Sequence, residues 1–350
     1  MRSPLRSQRD SPSLLSSDPK SRVAQNRNAG PTIAFHPAES SRRLDMVVIT
    51  VAGKLNDAHF QQCKKAAEFI ATQIGGIEVD VKSLLPADYD LALPELMVPF
   101  YPEVRKHNGA VLCHAGAGRY IGGRDAFMAY CETTFGYTDR THPIFYERLA
   151  KTHMREYVAK TGREYVQMEV SIGGEVEEKL LIELFTDHTP KTCANFKALV
   201  KGGHDEIPDG AGYTGCLIHQ VMAGGWFQTG DVVKKDGTGE ACCIYGESFG
   251  DECFRVKHDK PGILAMASAK RNKNGCQFYV TQCVLDSLDG KRVGFGRVID
   301  GLRLMKIIDR VETDPFQRPK QPVKIENIAM WTPQPEEEEE EEEEAKENEP

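Results

Sequence analysis

LLIELFTDHTPKTCANFKAL, residues 180–199, changes its hydrophobic period once, and that change decides the fold. Lys179 to Phe185 alternates as a strand does, and Pro190 stands where a fixed φ suits the first turn of a helix running through Ala194, Phe196 and Leu199. Toward the N-terminus, Tyr165 to Ile172 also alternates, and Gly173-Gly174 between the two runs supplies a hairpin turn. Toward the C-terminus, short strand-like runs are separated by Gly-rich turns, which argues for a closed β-barrel with few helices.

Further blocks follow in the same half of the chain: YTGCLIHQ (Tyr213–Gln220), FQTGD (Phe227–Asp231), DGTGEACCIYGESF (Asp236–Phe249), PGILAMASAKRNKNGCQFYVT (Pro261–Thr281) and LDGKRVGFGRVIDGL (Leu288–Leu302). In composition and order these blocks resemble the cyclophilins, the peptidyl-prolyl cis-trans isomerases, from about Tyr165 to Trp331. The resemblance implies an eight-stranded antiparallel barrel capped by two helices, the second at Gly301 to Arg310. It also implies an activity that breaks no bond and needs no cofactor or metal. The peptide bond owes its barrier of ~18–20 kcal/mol to amide resonance. A catalyst needs an apolar pocket for the proline ring, donors for the preceding carbonyl, and a strong donor aimed at the prolyl nitrogen as resonance is lost.

Carried over by position, the resemblance assigns substrate binding to Gln228, Met266, Ala267, Ser268, Gln277, Tyr279, Leu288 and Arg292, and catalysis to His219 and Gln220. Several of these depart from the family pattern. Gln220 replaces the catalytic Arg with a shorter, neutral amide. Gly225 falls on the Phe of the pocket floor, unless a one-residue bulge moves Trp226 or Phe227 into that space. Ser268 replaces an Asn, Ser287 a Trp that governs cyclosporin binding in many members, and Arg292 a His. Tyr279 replaces a Phe and brings a hydroxyl that needs a partner or water. Phe278 is read as core, and His219 reads equally well as a residue that holds a loop by hydrogen bonds.

The N-terminal half carries a different pattern. The β-branched run Met46–Val51 suits a buried strand. Asp57 then caps a helix with Phe60, Cys63, Ala66, Ala67 and Ile70 on one face, ended by Gly75-Gly76, and Ile77–Val81 completes a βαβ unit. Two short strands, Gly109–His114 and Arg119–Gly122, precede a helix from Asp125 to about Phe135. This is a thioredoxin-like order, and RYIGGRDAFMAYC (Arg119–Cys131) resembles the glutathione-carboxylate site of glutaredoxins. Gly53-Lys54-Leu55-Asn56-Asp57 stands where a glutaredoxin carries its reactive cysteine, no Pro precedes Ala110, and Leu84 to Pro99 reads as an insertion. A non-redox scaffold or docking domain is expected. Thr141 to Lys160 reads as a linker helix with Phe145, Leu149, Tyr157 and Val158 near one face.

The expected division is therefore 1–43 disordered, 44–140 a thioredoxin/glutaredoxin-like α/β domain, 141–162 a linker helix, 163–331 the mainly β cyclophilin-like domain, and 332–350 a disordered acidic tail. The first segment is rich in Ser, Pro and Arg. That composition also fits a mitochondrial targeting segment, although no amphipathic helix is evident. The last fifteen residues hold eleven Glu and one Lys, so the net charge of -8 leaves +2 for the rest, and nothing predicts nucleic-acid binding. The acidic tail reads as a solubilising segment or as a contact for a basic surface.

No apolar run suits a membrane span or a secretory signal, so a cytoplasmic protein with no membrane partner is expected. The ten cysteines show no metal-type spacing and read mainly as reduced packing thiols, with a redox switch at Cys242-Cys243 as the alternative reading of that pair. Three functions follow: a prolyl isomerase or foldase of reduced turnover, a binder of proline-containing or extended protein segments, or a structural subunit of a larger assembly. The two-part plan resembles the peptidyl-prolyl isomerase-like six proteins, which extends the expectation to cilia or flagella, where a cyclophilin-type subunit occurs in radial spokes.

Overall fold

The computed structural model describes residues 47–333 except 103–106, 117, 240, 241 and 269. The expected disorder of 1–43, the strand start at Met46 and the acidic tail from Glu336 lie outside the described residues. Strand β1 (Val47–Lys54) is buried from Ile49 to Gly53, as its unbroken apolar sequence requires. Asp57 caps α1 (Ala58–Gln73) by accepting from the Phe60 N–H at 2.9 Å, and the five residues assigned to its inner face are all buried. A Cβ at Gly53 would fall 2.4 Å from the Phe60 ring, so the absent side chain lets α1 close against β1.

Strand β2 (Ile77–Leu84) pairs parallel to β1, β3 (Val111–Ala115) pairs antiparallel to β1, and β4 (Arg119–Gly122) follows, giving the order β2-β1-β3-β4. Ile49, Val51, Phe60, Cys63 and Ile70 meet Val111, Cys113, Phe127 and Cys131 in one core. The last two belong to α3, which runs from Arg124 to Phe135.

The stretch read as an insertion, 84–99, folds instead as helix α2 (Pro86–Met97) and a 3-10 turn at Val98–Phe100. Pro86 opens that helix, where its missing N–H costs nothing. The next helix, α4 (Pro143–Thr161), buries Tyr146, Ala150 and Met154. This corrects the first half of the expected face, since Phe145 is 45% exposed and Leu149 only half-buried, whereas Tyr157 and Val158 pack inward. Tertiary contacts choose the face, because the Tyr146 hydroxyl and the Gln62 amide of α1 both donate to Asp139 at 2.7 Å.

The C-terminal part is one antiparallel eight-stranded sheet. Its strands are β5 (Glu164–Ile172), β6 (Glu175–Leu184), β7 (Gln220–Met222), β8 (Trp226–Thr229), β9 (Ile263–Met266), β10 (Phe278–Thr281), β11 (Gly294–Asp300) and β12 (Val323–Trp331), ordered β12-β5-β6-β11-β9-β10-β8-β7. Hydrogen bonds from 215–218 to β12, such as Ile218 N to Val323 O at 2.8 Å, bring the two ends of the sheet together. Helix α5 (Pro190–Lys201) packs against β12, and α6 (Leu302–Asp309) packs against β6, β7 and β8. Phe196 of α5 lies 5.1 Å from each of the Tyr213, Phe278 and Phe295 rings, so the expected core role of Phe278 is met.

The two sheets share packing. Leu85, Met154, Tyr165 and Ile299 form a cluster of their own, and Ala87 of α2 joins the core of the eight-stranded part. Beside that cluster, Glu183 is wholly buried, bonded to Arg297 Nε at 2.7 Å, to Arg163 at 3.3 Å and to the Tyr157 hydroxyl at 3.2 Å. Arg297 continues to Asp88 of α2 at 3.2 Å. A buried charge needs this density of partners to offset its lost hydration.

Candidate functional site

Strands β8 and β10 pair in plain register, Trp226 with Thr281 and Gln228 with Tyr279. Alternation therefore places Trp226 and Gln228 on one face while Phe227 is fully buried on the other. No bulge is needed to bring Trp226 to the site. Its ring lies 6.1 Å from that of Tyr279, and with Leu288 and Ala267 the two rings wall a cavity of about 570 Å³. Gly225 itself leaves no room for a side chain without movement, since a Cβ there would lie 3.1 to 3.3 Å from Met222.

The Tyr279 hydroxyl finds its partner behind the cavity wall. It bonds His258 Nε2 at 2.8 Å, and His258 Nδ1 bonds Asp289 at 3.0 Å, with His258 wholly buried. Burial pushes the Tyr279 phenol well above its ordinary pKa. The backbone N–H of His258 holds the Asp289 carboxyl below the usual range, with help from the His258 ring. The hydroxyl is thereby fixed, and the ring presents an aromatic wall to the cavity.

Gln228, Ala267, Ser268, Gln277, Tyr279, Leu288 and Arg292 all line this cavity. Gln228 Nε2 donates to Gln277 Oε1 at 2.8 Å. Ser268 spends its hydroxyl on the carbonyls of Lys270 and Lys273, which shapes the loop at the rim. Met266 is placed differently from the expectation. It is 1% exposed in the core, paired with Phe278 across β9 and β10, and it is not among the residues lining the cavity.

His219 and Gln220 line a second cavity of about 480 Å³, which shares Gln228 and Gly237 with the first. Gln220 Nε2 donates to Gln317 Oε1 at 2.9 Å, and Val221 N donates to Gln317 O at 2.8 Å, so the loop before β12 is fastened over β7. Phe316 of that loop, 79% exposed, stands at the rim with Asp314 and Arg318. The His219 ring is packed beneath Gly237, where a Cβ would come within 2.3 Å of it, and its Nδ1 is buried with no hydrogen-bond partner among the described residues. Burial lowers its pKa, so the imidazole is neutral at physiological pH.

Asp231 positions this wall, and the sequence signal for it was the FQTGD block. One oxygen accepts from Val233 and Lys234 N–H, the other from Gly237 at 2.8 Å and Gly239 at 2.9 Å. Burial acts to raise its pKa, but the four backbone donors outweigh it and hold the carboxyl below the usual range.

The family profile for cyclophilin type peptidyl-prolyl cis-trans isomerase/CLD matches residues 165–330. The chain is 44% identical over 163 residues to "Peptidyl-prolyl cis-trans isomerase H" of Rhizopus delemar, covering 47% of this chain and 92% of that protein. It is 30% identical over 307 residues to "Probable inactive peptidyl-prolyl cis-trans isomerase-like 6" of Bos taurus, covering 85% of this chain and 96% of that one. The chain belongs to the cyclophilin-type peptidyl-prolyl cis-trans isomerase family. A third cyclophilin relative, "Peptidyl-prolyl cis-trans isomerase 11" of Caenorhabditis elegans, is 42% identical over 162 residues. Among the described residues, no helix is long and apolar enough to cross a membrane, and no group of His, Cys, Asp and Glu is arranged to hold a metal ion.

Proposed function

We propose that this cyclophilin binds proline-containing or extended protein segments in the Trp226–Tyr279–Leu288 cavity and turns them over weakly or not at all. The carrying observation is the Gln220–Gln317 hydrogen bond at 2.9 Å. The group at the position of the family's catalytic Arg is neutral, and one of its two amide N–H donors is already committed to a neighbouring side chain. Removing one preorganised donor commonly costs ~10²- to 10³-fold in rate. The aromatic walls and the Gln228–Gln277 pair support retained binding. The printed name of the bovine relative, probable inactive, agrees with this reading.

The N-terminal sheet is read as a thioredoxin/glutaredoxin-like scaffold without redox chemistry, bounded near 44–140 and joined through α4 to the 163–331 part. Its strand order β2-β1-β3-β4 supports the likeness. Cys63, Cys113 and Cys131 are all wholly buried, and burial pushes the Cys131 thiol up to about 12, which suits packing residues. The shared Glu183 network and the match over both parts of the bovine relative support a single two-part binding body.

The test is proline-peptide isomerisation followed by NMR exchange on the full chain, beside its Gln220→Arg variant. Expected are peptide-induced shifts at the Trp226 indole with little exchange acceleration, and a rise of ~10²-fold in the variant. Strong acceleration by the unaltered chain would sink the reading and require another donor at the prolyl nitrogen.

A further inference from the structure

The cavity beside Trp226 is one-sided in charge. Lys270, Lys273 and Arg292 line it, and no Asp or Glu does so among the described residues. The neighbouring cavity differs, with Asp236 and Asp314 facing Arg318. Nor does any described carboxylate lie within ion-pair distance of Lys270, Lys273 or Arg292.

The acids around the cavity are committed to other partners: Asp231, behind the lining Gly237 and Gly239, accepts from four backbone N–H groups. Asp251 accepts from Asn272 N at 3.0 Å and from Asn274 Nδ2 at 2.9 Å, bracing the loop that carries the two lysines. Asp289 bonds His258 at 3.0 Å and pairs with Lys257 at 3.5 Å. The Ser268 hydroxyl, bonded to the carbonyls of Lys270 and Lys273, ties both lysine backbones to the rim of the same cavity. Arg292 lines the same cavity, its backbone N–H held by Leu288 O at 3.2 Å. Three cations thus line a pocket with aromatic walls and no carboxylate among its described lining residues, an arrangement that favours an anionic ligand group.

We propose that the cavity selects proline-containing segments with a carboxylate side chain, Glu or Asp, within a few residues of the proline. This rests on the reading of the cavity as a binding site for such segments. The proline ring packs against Trp226, Tyr279 and Leu288, and the flanking carboxylates are drawn to Lys270, Lys273 and Arg292. The preference is electrostatic, so salt weakens it.

The test is calorimetric titration of the full chain with blocked hexapeptides that share one central proline and carry two Glu, two Gln or two Lys as flanking residues. A fourth peptide has the Glu flanks with Ala in place of proline. At low salt the Glu peptide is expected to bind about ten-fold tighter than the Gln peptide, the order expected of a few partly solvated ion pairs. The Lys peptide is expected to be weakest. Half-molar salt, or Lys270→Gln with Lys273→Gln, narrows the gap. Equal affinity for the Glu, Gln and Lys peptides overturns charge selection and leaves the binding reading standing. Equal binding of the proline-free Glu peptide also overturns the proposal, by reducing it to unspecific attraction. Failure of all the peptides to bind overturns the binding reading itself.

Discussion

Replacing Arg297 with Met should destabilise the whole folded body, because it strips the closest partner from a carboxylate that has no access to water. Glu183 is 0% exposed and bonded at 2.7 Å to Arg297, whose side chain is 17% exposed. Breaking a buried pair from one side costs ~3–5 kcal/mol. Arg163 at 3.3 Å and two tyrosine hydroxyls remain, which puts the expected loss near the lower figure. For a chain of this size a urea m-value of about 3 kcal/mol/M turns that loss into a midpoint shift of about 1 M.

The two tryptophans, Trp226 in the cavity wall and Trp331 beside the Leu85–Met154–Tyr165–Ile299 cluster, report the transition by fluorescence. The double variant Glu183→Leu, Arg297→Met should recover most of the loss, since it leaves no unpaired carboxylate. A midpoint shift under about 0.3 M in the single variant would refute the reasoning. So would a double variant as unstable as the single one.

Three further outcomes are expected. Asp231→Asn should lower the melting temperature at neutral pH. The carboxyl is held below its ordinary pKa of 3.8, so its stabilisation is fully present above about pH 4 and fades as pH falls through the lower folded value. The gap between wild type and variant should therefore close in acid, and a pH-independent gap would refute the assignment. Tyr279→Phe should cost about 1 kcal/mol by leaving buried His258 Nε2 without its partner, visible as a shift in the His258 NMR resonances. Gly237→Ala should destabilise by at least ~1 kcal/mol and displace the His219 ring, because φ is +89° and the new Cβ would lie 2.3 Å from that ring. Unchanged His219 resonances in that variant would contradict the geometry.

Much of the architecture was legible because it is written in short-range pattern. The inner face of α1, the βαβ unit, the β5–β6 hairpin and Pro190 opening α5 each rest on residues within one turn or one strand of each other. The neutral side chain at Gln220, the position that the cyclophilin resemblance gives to the catalytic Arg, was legible too, since a charge is absent there whatever the fold does.

Other features were decided only in three dimensions. The face that the first turns of α4 bury was misread because contacts with α1, rather than its own periodicity, select Tyr146 over Phe145. Met266 went to the core because its strand is buried on both faces, which hides the alternation that would mark an inward or outward side chain. Trp226 was within reach of pattern reasoning, but only the pairing of β8 with β10 showed that it and not Phe227 faces the cavity.

By itself, then, the sequence determined an antiparallel eight-stranded cyclophilin part and a mixed α/β part before it. The tertiary structure decided that α2 joins the two parts, that His219 and Gln220 line a different cavity from Tyr279 and Leu288, and that Gln220 is tied to Gln317. The reason is separation along the chain. Gln220 and Gln317 are 97 residues apart, and Asp88 and Arg297 are 209 apart, so no local period records which of them will meet.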